Sequence, residues 1–173
     1  PQNVLLEFTA TVDFNSGIDG TYDEYEIHFQ NVIPATASSH LLLRTSSNAG
    51  SSFDAVGGDY RWSTAEFRNA AVNSSGATSD DSIRISPISV NSSASEGGVS
   101  GVVRIFAPAG TASNKAIRYS TAIYSSNSSS AVVAGESAGM RNSTSVVNAV
   151  RFLFSSGNIA SGLFKLYGVR KSV

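Results

Sequence analysis

The chain has 173 residues, of which 41% are hydrophobic and only 14% charged, with a formal net charge of −1. That length favours a single domain, 1–173, with a sizeable core, and zero cysteines exclude disulfide staples and thiolate metal sites. No stretch reaches the ~18 apolar residues of a membrane helix, and no basic-apolar-small signal opens the chain, so no membrane insertion is expected.

In chain order, Val4–Phe14 reads as a strand and Ser16-Gly17-Ile18-Asp19-Gly20 as a turn. Tyr22–Val32 alternates cleanly, with Tyr25, Ile27 and Phe29 on one face and Glu24, Glu26, His28 and Gln30 on the other, until Pro34 ends it. Leu41–Arg44 follows, then a loop at Ser46–Ser52. Gly57-Gly58 precedes a short strand at Tyr60-Arg61-Trp62. Thr64–Val72 is the only helix-tolerant segment and reads equally as a continuing strand, while Asn73–Asp81 reads as a long polar loop. Strands are then predicted at Ser82–Val90, Gly98–Phe106, Lys115–Tyr124, Ala131–Ser137, Ser145–Phe154 and Gly162–Val169.

Six of these runs place one cation among apolar neighbours: Arg44, Arg84, Arg104, Arg118, Arg151 and Lys165. A period of two buries the apolar members and turns the cation outward. About ten such strands with no helical period between them predict an all-β, antiparallel two-sheet sandwich of jelly-roll type. An apolar strand such as Leu41–Leu43, if left bare, calls for a partner surface.

The charge is unevenly placed. Residues 1–96 hold four cations (Arg44, Arg61, Arg68, Arg84) against twelve carboxylates, whereas 97–173 hold eight cations against Glu136 alone. Either early strands pair with late ones inside the sandwich, opposite charges meeting across the ladder, or an acidic face meets a basic face on a neighbouring subunit. Beyond the Arg170-Lys171 pair there is no basic cluster with interleaved aromatics, so no nucleic acid is expected as a partner.

Few residues point to chemistry. Gly135-Glu136-Ser137-Ala138-Gly139 matches a nucleophile elbow, yet no acid or histidine follows Ser137 and no helix is predicted after it. His28 and His40 lack metal-ligand spacing. Asp19, Asp23, Glu24 and Glu26, flanked by glycines, are hard oxygen donors that could hold calcium, but their spacing matches no EF-hand loop, and a solvated acidic edge is the preferred reading. No pair among the thirteen carboxylates stands out for glycoside hydrolysis. Asn73, Asn91, Asn127 and Asn142 open N-x-[ST] sequons in a chain rich in Ser and Asn. Tyr60 and Trp62 share a face, which makes them a candidate platform for stacking on the sugar rings of a glycan; the competing assignment puts Trp62 in the core or at a subunit interface. The expectation is a non-enzyme with no catalytic residue, no metal and no cofactor.

Three segments, Gly17–Tyr25 (GIDGTYDEY), Asn31–Thr36 (NVIPAT) and Phe154–Val169 (FSSGNIASGLFKLYGV), together resemble a family of small β-rich structural proteins of tailed bacteriophages, marine ones in particular. The resemblance runs in order along nearly the whole chain. It implies a virion protein, foremost a tail fibre or appendage used in host-surface attachment, partnered by other virion proteins and by copies of itself, with a homotrimer as the expected oligomer. A head-decoration protein of the same family and a monomeric carbohydrate-binding module are the alternatives. The family lends no catalytic residues, and whether the chain is the distal domain of a longer fibre is left open.

Overall fold

The computed structural model describes residues 2–69, 71–126 and 131–169; Arg170, Lys171 and Asn127 lie outside them. The fold is an antiparallel β-sandwich of two sheets, as the two-residue period predicts. The strands are β1 (Gln2–Thr9), β2 (Thr11–Phe14), β3 (Glu24–Pro34), β4 (Leu41–Ser46), β5 (Tyr60–Arg68), β6 (Ala71–Asp80), β7 (Ile83–Arg84), β8 (Val99–Phe106), β9 (Lys115–Ser125), β10 (Ala131–Arg141), β11 (Ala149–Phe154) and β12 (Ile159–Val169). One sheet has eight strands in the order β1-β12-β3-β8-β9-β10-β5-β6, the other four in the order β2-β11-β4-β7.

The pairing is nested. β1 pairs with β12 and β2 with β11, while β3 pairs with β8 and β4 with β7, so the chain crosses from sheet to sheet as it closes on itself. The hairpins β5–β6 and β9–β10 do not cross; they widen the large sheet on one side.

Between the sheets lies one core. Phe29 and Phe164, register partners on β3 and β12, meet Phe152 of the opposite sheet with ring centroids 6.2 and 4.9 Å from it. Burying rings of this size supplies most of the drive for the two layers to stack. Leu41 and Leu43 are fully buried there, so this strand is not a bare apolar surface. Five of the six flanked cations turn away from the core as expected, whereas Arg84 lays its guanidinium over the buried Trp62 ring.

Several boundaries differ from expectation. Val4–Phe14 is two strands, because the chain changes sheet after Thr9. Thr64–Val72 is not helical: β5 runs on to Arg68 and β6 begins at Ala71. Asn73–Asp81, read as loop, is strand as far as Asp80; as an edge paired only to β5, β6 leaves most of its side chains exposed and shows no hydrophobic alternation. Ser82–Val90 contributes only two residues to a ladder. Its Ile83, Ile85, Ile88 and Val90 are buried all the same, because this segment lids the inner face of the widened sheet.

The G-x-S-x-G match follows from that lid. Gly135, Ser137 and Gly139 are alternate residues of β10 and all point inward. A Cβ at Gly139 would meet Ile83 Cδ1 at 2.8 Å, and one at Gly135 would meet Pro87 Cγ at 2.9 Å. Small side chains let the lid press onto the sheet. Ser137 is mid-strand, and its hydroxyl donates to Thr64 Oγ1 at 2.6 Å. This is packing and not an elbow.

Candidate functional site: the outer face of the large sheet

Tyr60 and Trp62 do share a face, but it is the inner one. Tyr60 is fully buried and Trp62 is 6% exposed. The Tyr60 hydroxyl accepts from the Thr45 backbone N–H at 2.7 Å and donates to the Asp54 carbonyl at 3.1 Å, tying β5 to β4. Burial pushes its pKa up to about 12. Trp62 Nε1 donates to Asp80 Oδ2 at 2.8 Å, and the Arg84 guanidinium lies 4.7 Å over the ring. The expected exposed stacking platform is therefore corrected: both rings are core, because the inward face of β5 carries them while Arg61 and Ser63 face outward.

The acidic cluster is engaged within the fold. The Asp19 carboxylate accepts from Thr21 N and from the Tyr25 hydroxyl, both at 2.8 Å, and the Thr21 contact foremost holds its pKa below the usual value. Glu26 accepts from Arg104 at 2.7 Å and lies 2.9 Å from His28 Nε2. Among the described residues no group of three or more His, Asp or Glu is arranged to hold a metal ion. His40 is largely buried. Desolvation first, then the charge of Arg84, lowers its pKa, while its Nδ1 lies 3.2 Å from the Ser86 carbonyl.

Charges from the two halves of the chain meet across the ladders. Arg151 faces Asp13 in register between β11 and β2 at 2.6 Å, and Arg104 faces Glu26 between β8 and β3. Arg141, 4% exposed, binds Asp54 at 2.5 Å and the carbonyls of Ser145 and Val146. Much of the charge asymmetry between the halves is thus spent inside one chain.

The segments Gly17–Tyr25, Asn31–Thr36 and Phe154–Val169 come together. The Ala35 N–H donates to the Asn158 carbonyl at 2.8 Å, and the Tyr22 ring packs on Gly168 and, edge-on, on Tyr25 with centroids 5.7 Å apart. Their joint position is the β3–β12 seam, where they serve packing.

What stands out instead is the outer face of the eight-stranded sheet. Nine large hydrophobic side chains are exposed among the described residues, and seven of them, Phe67, Val72, Phe106, Tyr124, Val132, Met140 and Tyr167, lie on this one face. Register gathers Phe67, Val72, Tyr124 and Val132 toward one end of the strands, and Phe106 and Met140 toward the other. Ala65, Ala134, Ala138 and Ser63 keep the floor between them low. An open hollow of about 610 Å³ spans β5, β9 and β10, and a groove of about 270 Å³ adjoins it, lined by Glu26, His28, Arg104, Arg118 and Glu136. In the groove Arg104 and Arg118 stand directly opposite in register, a like-charge pair offset by the flanking carboxylates Glu26 and Glu136. Sequence reasoning missed this face. No single strand is unusually apolar, and only long-range pairing assembles the patch.

No protein-family model matches this chain, and neither a search of curated proteins nor one of solved structures finds a similar protein.

Proposed function

We propose that this chain is a non-enzymatic structural protein of a tailed-bacteriophage virion, foremost a tail fibre or appendage component engaged in host-surface attachment, and that it works by assembly. The concentration of exposed apolar side chains on one sheet face carries the assembly part, because monomeric soluble proteins rarely leave a patch of this kind uncovered. The nested pairing supports a finer fold assignment. Without the hairpins β5–β6 and β9–β10, the sheets read β1-β12-β3-β8 and β2-β11-β4-β7, the order of an eight-stranded jelly roll, an architecture frequent in capsid and lectin domains. The virion part rests on the resemblance carried by the three motif segments, which pack together at the β3–β12 seam. Head decoration is the second placement compatible with the same features.

The test is mass spectrometry of purified particles produced from the genome that encodes this chain, with antibody labelling in the electron microscope. Peptides of this chain in stoichiometric amount, with label at the tail, are the expected result. Absence from the particle refutes the virion assignment, and label confined to the head refutes the tail placement.

A further inference from the structure

We propose that the outer face over β8, β9, β10 and β5 is a two-fold contact surface for a second copy of this chain. The inference rests on the assembly reading above and supplies its surface and its partner. Arg118 and Glu136 sit at the middle of this face, 67% and 53% exposed and 3.5 Å apart, a looser pair than the 2.5–2.8 Å of Arg141–Asp54 or Arg151–Asp13. Across a two-fold axis, Arg118 of one copy meets Glu136 of the other and the reverse, so the loose pair of each copy is exchanged for an intersubunit pair, while Arg104 keeps its own carboxylate, Glu26. A uniformly acidic or basic partner would strand one of these charges in the contact.

The apolar ends follow the same logic. Phe67 and Val132 lie on one side of the charge pair, and Met140 with Arg61 beside it on the other, so a two-fold brings apolar, alanine and guanidinium surface onto the exposed rings. Aliphatic Val72 and Val132 offer little to a sugar hydroxyl. Because the floor is alanine and serine, two such sheets can stack at the usual ~10 Å. Four strands ~4.8 Å apart and about eight residues long at ~3.3 Å each give roughly 500 Å² per copy, about 1,000 Å² in all, which reaches the lower bound for a specific interface.

The test is sedimentation equilibrium of the intact chain from about 5 to about 500 μM, a range that brackets an interface of this size. The wild type is expected to dimerise. Arg118→Glu and Glu136→Arg each place like charges opposite one another twice and weaken the dimer at least ~10-fold, while the double swap R118E/E136R returns it to within about 3-fold of wild type. Val132→Lys weakens it without recovery. These side chains are exposed, so thermal melts of the variants serve as the folding control and are expected to stay near wild type. A trimer, or a dimer indifferent to both single reversals, overturns this face while leaving the assembly reading intact. A wild type that stays monomeric throughout overturns the self-contact, and the particle mass spectrometry then decides the virion assignment separately.

Discussion

Replacing Trp62 by alanine is the most direct measure of what the aromatic pair does. The ring is 6% exposed and enclosed between the sheets, so truncation opens a cavity and removes the transfer free energy of an indole, together about 3–5 kcal/mol. The Asp80 carboxylate also loses the Nε1 donor held at 2.8 Å, and Arg84 loses the ring beneath it. For a domain of this length each kcal/mol moves Tm by roughly 2–4 °C, so a fall of about 10–15 °C is expected. Trp62→Phe keeps most of the volume and loses mainly the Asp80 contact, which places it ~1–2 kcal/mol below wild type. Because Trp62 is the only tryptophan, circular dichroism must follow the variants, while in the wild type fluorescence and dichroism are expected to report one coincident urea transition. If Trp62→Ala stays within about 1 kcal/mol of wild type, the ring is not core and the inward assignment of β5 is wrong.

Two further outcomes are expected. Tyr60→Phe strands the buried Thr45 N–H that Tyr60 accepts from at 2.7 Å and costs about 1–3 kcal/mol near neutral pH. The folded pKa of Tyr60 is raised, to about 12 against an ordinary 10.0, so its contribution is whole below pH ~10 and is lost as pH rises toward 12, a loss of about 2–3 kcal/mol in the wild type. In the variant that alkaline limb shrinks to the part owed to Tyr25 and Tyr119, also raised by burial; an unchanged limb by urea titration counts against the Tyr60 assignment. Gly101→Ala would drive its new methyl onto the Ser120 carbonyl oxygen and to 2.7 Å from Phe29 Cζ, costing ~1–3 kcal/mol by overpacking. Melting at the wild-type temperature would show that the β3–β8–β9 ladder is looser than described.

The sandwich was legible because its strands bury one face. Tyr25, Ile27 and Phe29 alternate with Glu24, Glu26 and His28, and the structure sets them inward and outward as the pattern reads. β6 was not legible. An edge strand of Ser, Asn and Gly buries almost nothing, so it writes no period into its sequence. The segment 82–90 misled in the opposite sense: its buried isoleucines alternate like a strand, yet Pro87 and its place as a lid restrict ladder pairing to Ile83–Arg84. Tyr60 and Trp62 show the limit for the site. Periodicity puts them on one face without saying which face is inside, and that choice belongs to the partner strands. The apolar outer face was invisible for the same reason: Phe67, Val72 and Val132 sit on three strands and become neighbours only through the β10–β5–β6 ladders.

Nested pairing also constrains the order of events during biosynthesis. β1 waits for β12, the last strand of the sandwich to be made, so the large sheet keeps an open edge at β12's place until that strand emerges. Such a topology closes late and slowly, over milliseconds to seconds once the last strand is free. A nascent copy therefore exposes bare strands to any neighbouring copy. Charged residues on those strands, Glu24 and Glu26 among them, help keep growing copies apart until each can seal itself.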